Sequence, residues 1–202
     1  MTKSIVIAGV GGQGTLLASK ILATAAGARG LFVRTSETIG MAQRGGSVSS
    51  HLRIDSRGLS PIIPSAHGDI LLSFELAEAV RMIPKMRAEA ACVVNTDQMI
   101  PTNVALGRGV YLADEYMAAL KSRFPKAVFI EGAALALEAG DIRTLNIVLL
   151  GAASAAGLLP FGEDELRAAL ALCVKPKLLA MNEKAFELGR AAAKRWRDDS
   201  AK

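Results

Sequence analysis

Glycines at Gly9-x-Gly11-x-x-Gly14 follow the apolar run Ile5-Val6-Ile7-Ala8 and stand directly before a helical pattern. A strand that ends in a tight turn and opens a helix presents unpaired N–H groups beside a partial positive charge. Such a corner suits an anion. The spacing also matches the dinucleotide fingerprint letter for letter. That fingerprint asks for an acidic residue at the end of the second strand, roughly 20 residues on. Glu37 lies near that place, but Arg34-Thr35-Ser36 intervenes and Glu37 belongs to a polar loop of its own. Two readings of the glycines therefore stay open: nucleotide binding, or close packing of helix, strand and a partner chain.

The stretch Thr35-Ser36-Glu37-Thr38-Ile39-Gly40-Met41-Ala42-Gln43-Arg44-Gly45-Gly46 is the second candidate. Arg44 carries a planar fork suited to carboxylate or phosphate. Gly40, Gly45 and Gly46 permit sharp turns. Glu37 can pair with Arg44, so the loop is either a ligand contact or a segment stapled by its own ion pair. Elsewhere the chemistry is sparse. His51 and His67 have no ligand-like neighbours, which argues against zinc, and His51 falls on the polar face of a strand as a surface or interface residue. There is no Gly-x-Ser-x-Gly elbow. The first turn lacks the lysine of a P-loop. Two cysteines, Cys92 and Cys173, cannot supply a four-thiolate cluster, and their scarcity suggests a reducing compartment. No catalytic residue and no metal ligand is assigned.

The elements that must position these residues follow from periodicity. Strands are expected at 4–8, 31–34, 47–54, 69–73, 90–95 and 127–131, with another at 110–113. The first two strands, joined by a helix at 13–28, read as a parallel pair with a right-handed crossover. The 35–46 stretch then lies at the carboxyl edge of the sheet, where ligands and partners sit. Asn95-Thr96-Asp97 ends a strand at that same edge. Residues 47–54 alternate as a half-covered strand, 55–68 is a loop, and 101–107 is a loop or minor strand. Helices are expected at 76–82, from Asp114 as cap to 123, and at 132–139, 146–156, 163–173 and 176–196.

The fold class is therefore α/β: a three-layer Rossmann-like sandwich with a mostly parallel sheet and a helical C-terminal third. One domain accounts for 1–202, with an α/β part to about 132 and a helical part over about 133–197. Half of the 202 residues are hydrophobic (51%), enough for a sizeable core, and the net charge is +5. The basic C-terminal residues read as a solvated helix, because no nucleic-acid module accompanies them. No basic n-region precedes the first apolar run, and that run is too short to span a membrane. A soluble cytoplasmic chain is expected.

Taken together, Gly9-Val-Gly-Gly-Gln-Gly14, Glu37-Thr-Ile-Gly-Met-Ala-Gln-Arg-Gly-Gly46 and the strand Ser47-Val-Ser-Ser-His-Leu-Arg53 resemble the gamma-type domain of the 2-oxoacid:ferredoxin oxidoreductases, with wording nearest the indolepyruvate branch. Ile39 departs from the histidine expected there. The resemblance implies oxidative decarboxylation of a 2-oxo acid to an acyl-CoA, with electrons passed to ferredoxin. It also implies thiamine diphosphate, Mg2+, iron–sulfur clusters and coenzyme A in the complex. This chain has no Gly-Asp-Gly…Asn thiamine motif and no cysteine run, so none of these is bound by this chain alone. A large thiamine- and cluster-bearing partner is implied, with ferredoxin reached through the complex; a homodimer is also compatible. Gly11, Gly12, Gln13, Gly14, Glu37, Gly40, Met41, Gln43, Arg44, Gly45 and Gly46 become the cofactor-binding or partner-facing candidates. The other readings are a stand-alone dinucleotide-binding oxidoreductase and a non-catalytic assembly subunit.

Overall fold

The computed structural model describes residues 2–37, 45–55 and 58–200. Thr38, Ile39, Gly40, Met41, Ala42, Gln43 and Arg44 lie outside the described residues, so the Glu37–Arg44 pairing does as well. The strands are β1 (Lys3–Val10), β2 (Val33–Glu37), β3 (Ser47–Ile54), β4 (Gly68–Ser73), β5 (Met86–Asn95) and β6 (Val128–Ile130). They form one sheet in the order β2-β3-β1-β4-β5-β6. From β1 to β6 every neighbouring pair is parallel, while β3 is antiparallel to both β1 and β2. The helices are α1 (Thr15–Ala28), α2 (Leu76–Met82), α3 (Thr102–Ala105), α4 (Ala113–Arg123), α5 (Gly132–Ala139), α6 (Leu145–Ala155), α7 (Glu163–Cys173) and α8 (Pro176–Ser200).

The α/β class with a mostly parallel sheet holds, but the expected β1–α1–β2 parallel pair does not. β3 is inserted between the two strands, so β1 and β2 run the same way without touching. Val33, Thr35 and Glu37 pair through the ladder with Ile54, Leu52 and Ser50. The second strand therefore runs on through Thr35-Ser36-Glu37, where the sequence pattern reads as loop. Propensity missed this because β2 is an edge strand whose outward residues need no apolar character. Residues 101–107 contain the short helix α3 rather than a strand, and of 110–113 the first three residues are irregular while Ala113 opens α4. Leu112 is the N-cap of α4, with Asp114 in its first turn.

Two cores cover the two faces of the sheet. Alternation in β1 decides the sides: Ile5 and Ile7 point into one core, Val6 and Ala8 into the other. The first core takes in α1, α5, α6, α7 and α8; the second takes in α2, α4 and the buried Ile63. α6 is apolar all round, and every residue from Leu145 to Ala153 is buried. Such a helix must be wrapped on all sides. It meets α8 through one glycine on each helix: a Cβ on Gly151 would strike the Phe186 carbonyl, and one on Gly189 the Val148 carbonyl. Backbone-to-backbone approach of this kind is open only to glycine.

Candidate active-site cleft at the switch point of the sheet

The chain leaves β1 toward α1 and the β2–β3 side. It leaves β4 toward α2 on the opposite face and the β5–β6 side. Between the carboxyl ends of β1 and β4 the connections diverge, which opens the crevice where α/β sheets place ligands. A cleft of about 380 Å³ lies there, lined by Gly11, Gly12, Gln13, Asn95, Asp97, Met99 and Arg143 among others.

Its floor is one continuous hydrogen-bonded line. The Val10 N–H donates to Gln13 Oε1 (2.7 Å), and Gln13 Nε2 donates to the Phe74 carbonyl (3.0 Å). Asn95 Nδ2 donates to the same carbonyl (2.9 Å), and its Oδ1 accepts from Gly132 N at the start of α5 (2.9 Å). Asp97 Oδ2 accepts from Ala133 N (2.6 Å). The orphan N–H groups of α5 are thus capped from within the chain. Arg143, at the rim, is forked onto Asp141 (Nε to both carboxylate oxygens, 3.0 Å), and that guanidinium holds the Asp141 carboxyl at about 2.

The glycines divide by task. Gly14 sits at positive φ (+81°) as the N-cap of α1, and a side chain there would run into Asn146 of α6. Asn146 Nδ2 in turn donates to the Gly14 carbonyl (3.1 Å). Gly12 (φ +106°) faces open space. Gly11 is joined to the segment ahead of β3, its N–H donating to the Gly46 carbonyl (2.8 Å) and its carbonyl accepting from Gly45 N (3.3 Å). The structure therefore brings Gly11, Gly12, Gln13 and Gly14 together with Gly45 and Gly46. In a dinucleotide site the second glycine leaves its backbone free for the pyrophosphate; here Gly45 and Gly46 occupy it. The acidic partner is also displaced. Glu37 ends β2, two strands from β1, where it lines a shallow hollow with Leu16, Lys20 and Thr35.

The sequence missed the second ring of this site. Glu75, 1% exposed, follows β4 and accepts three donors: Glu78 N (3.0 Å), Met99 N (3.3 Å) and the Tyr111 hydroxyl. Burial and the hydrogen bond to Glu75 raise the Tyr111 pKa. Polar residues ending apolar strands (Phe74-Glu75, Asn95-Thr96-Asp97) were the available signal; nothing marked Tyr111 or Asn146. His51 is a correction. It is 9% exposed rather than on the surface, because 60–67 folds over β3, and its Nδ1 accepts from Ile63 N (2.9 Å). Burial, then the Lys85 charge, lowers its pKa.

The described residues lining the cleft include no serine, cysteine, histidine or lysine. The cleft can shape and hydrogen-bond a ligand, but it offers no nucleophile with a base. Cys92 lies in the core on one face and Cys173 packs against the other, so the two thiols cannot share a cluster. Among the described residues no helix is long and apolar enough to cross a membrane.

Comparison with known proteins decides the family. The pyruvate ferredoxin/flavodoxin oxidoreductase model matches residues 4–192. The chain belongs to the pyruvate ferredoxin/flavodoxin oxidoreductase family. It is 37% identical over 191 residues to the indolepyruvate oxidoreductase subunit IorB of Archaeoglobus fulgidus, covering 94% of each. It is 38% identical to the IorB of Methanothermobacter thermautotrophicus over 96% of this chain and 98% of that one. The pyruvate/ketoisovalerate oxidoreductase common subunit gamma of Pyrococcus furiosus matches at 28% over 74% of this chain and 76% of the relative. Two solved structures share the fold. One is the gamma subunit of a keto/oxoacid ferredoxin oxidoreductase from Geobacter sulfurreducens (TM-score 0.68, 23% identity, 96% of this chain and 99% of that one). The other is the 2-oxoglutarate:ferredoxin oxidoreductase of Magnetococcus marinus, solved with 2-oxoglutarate, coenzyme A and succinyl-CoA bound (TM-score 0.70, 23% identity, 96% of this chain but 31% of that one). Within the family this chain is thus a small-subunit type, covering nearly the whole length of the IorB relatives it matches.

Proposed function

We propose that this chain is the cofactor-free subunit of a heteromeric 2-oxoacid:ferredoxin oxidoreductase of the indolepyruvate type. The complex cleaves the bond between the carboxylate and the oxo carbon of an aryl 2-oxo acid and releases carbon dioxide. The acyl group passes to the coenzyme A sulfur, the thiol proton is released, and two electrons go singly to two ferredoxins. Thiamine diphosphate with Mg2+ and the iron–sulfur clusters belong to the large partner. The observation that carries the reading is the match to the indolepyruvate subunits over 94% or more of both chains. The position of Cys92 and Cys173 on opposite faces of the sheet agrees with it.

In this reading Gly11, Gly12, Gln13 and Gly14, with Gly45 and Gly46, form the edge that completes the partner's active-site cleft. Glu37, Gly40, Met41, Gln43 and Arg44 face the partner or its coenzyme. The soluble complex works in the cytoplasm. The test is anaerobic viologen reduction with coenzyme A and indolepyruvate, phenylpyruvate, pyruvate or 2-oxoglutarate. Reduction is expected only when this chain is purified with its large partner, and fastest with an aryl acid. Turnover by this chain alone would overturn the proposal.

A further inference from the structure

The connection from β3 to β4 starts at the amino edge of the sheet, opposite the cleft, and folds back over β3. Its residues 58–67 contain no helix or strand, and Ile63 is the one buried side chain among them. Ile63 joins the second core. Pro61 and Pro64 have no N–H, so the tip of this strap has two amides to satisfy. The Ile62 N–H donates to Ser60 Oγ within the strap (3.2 Å). The Ile63 N–H donates to His51 Nδ1 on β3 (2.9 Å). Two cations hold the strap by its carbonyls: Lys85 Nζ donates to Ile63 O and Arg53 Nη1 to Ser60 O, both at 3.1 Å. Beyond the tip the chain is anchored by backbone bonds from Ala66 N to the Pro84 carbonyl (3.0 Å) and from His67 N to the Lys85 carbonyl (3.1 Å). A segment with one buried apolar anchor opens locally at much lower cost than the core.

We infer that residues 58–65 form a pH-operated strap: neutral His51 latches Ile63 onto β3, and protonation of His51 lets the strap lift while the sheet stays folded. A protonated imidazole carries N–H on both nitrogens, so Nδ1 then turns a donor toward the Ile63 donor. The charge that acts on His51 is positive. Lys85 comes from the turn at Ile83–Lys85, and its charge adds to burial in lowering the His51 pKa. Arg53 stands two residues on along β3, with Arg34 as its ladder partner on β2. The ladder partners of His51 itself, Val6 on β1 and Ser36 on β2, are uncharged. On α2, Glu78 is paired with Arg81 and accepts from the Ser47 hydroxyl. The strap's own His67 is exposed and meets the Ser65 carbonyl through Nδ1 (2.7 Å), a bond that a protonated ring keeps. The latch is therefore complete above the unfolded pKa near 6.5 and opens as pH falls through the lower folded value.

The test follows amide hydrogen exchange of the full chain from pH 8 to pH 4.5, with each rate divided by that of an unstructured peptide at the same pH. Imidazole NMR signals are recorded on the same samples. The chain has two histidines, so His67→Asn leaves His51 as the single imidazole. The Ile63 amide is expected to lose protection about tenfold for each pH unit below the His51 midpoint, while amides of β1 and α6 keep theirs. His51→Asn keeps a side-chain acceptor close to the Nδ1 position but does not titrate. In that variant strap protection is expected to stay level across the range. Three results would each overturn the inference. One is a strap that stays protected after His51 has titrated, or a ring that stays neutral down to pH 4.5. Another is loss of protection in β1 and α6 at the same pH, which makes the event global unfolding. The third is a strap that opens at the same pH in His51→Asn, which assigns the release to another group.

Discussion

At the scale of single residues, the two groups with most leverage are amides and a histidine rather than charged nucleophiles. Gln13 holds the end of β1 to the end of β4 through one donor and one acceptor. Gln13→Ala should cost about 1–2 kcal/mol in urea unfolding, because it leaves a strand N–H and a carbonyl without this partner. Gln13→Glu should be worse at pH 8, since a carboxylate cannot donate to the Phe74 carbonyl. His51 accepts from Ile63 N through Nδ1, which requires the unprotonated nitrogen. Its folded pKa is depressed, so the neutral form is favoured in the native state. The contribution is fully present above the unfolded value near 6.5 and declines as pH falls through that value toward the folded one. Melting temperatures of wild type should drop between pH 7.5 and 5.5, and those of His51→Gln should drop less. Glu78 shifts the other way. Burial raises its pKa despite the hydrogen bond from Ser47, so its penalty grows as pH rises past about 4.5, opposite in sign to the histidine contribution; the comparison with His51→Gln isolates the histidine.

At the scale of elements, helix contacts rest on glycines whose surroundings differ. Gly151→Ala and Gly189→Ala each drive a methyl into a facing backbone carbonyl, which cannot move aside as a side chain can. Each should destabilise by about 3 kcal/mol or more, the upper end of overpacking costs. Gly27, near the end of α1, has open space where a Cβ would stand. Gly27→Ala should therefore stabilise by about 0.5 kcal/mol through helix propensity. Thermal unfolding of the three variants side by side checks the contrast. The α6–α8 seam itself was not legible as a contact. The sequence shows two helices and where they break, but which glycine meets which facing carbonyl depends on the crossing.

For the whole molecule, the antiparallel insertion of β3 separates this fold from a dinucleotide-binding one with the same first turn. With Gly11 bonded to Gly45 and Gly46, and Glu37 two strands away, titration with NADH or FAD should show no saturable binding at micromolar concentrations. Gly11→Val should then alter assembly with the partner rather than any nucleotide signal. A nucleotide-dependent rise in melting temperature would contradict this.

The sequence by itself determined the α/β class, the strand–turn–helix at Gly9–Gly14, β3 at 47–54 and the helices α2, α5 and α7 to the residue. These rest on local periodicity and on glycine, which read out without knowing the neighbours. The quoted motifs also carried the family resemblance. Strand order was decided only by tertiary structure, since pairing is a long-range choice: β3 sits beside β1 with the Gly45–Gly46 corner bonded back to Gly11. Burial of polar groups was likewise invisible. Glu75, Asn95, His51 and Tyr111 look like surface residues in a list of letters. They are ordered by backbone groups of strands and helices far away in the chain, whose approach no local pattern encodes.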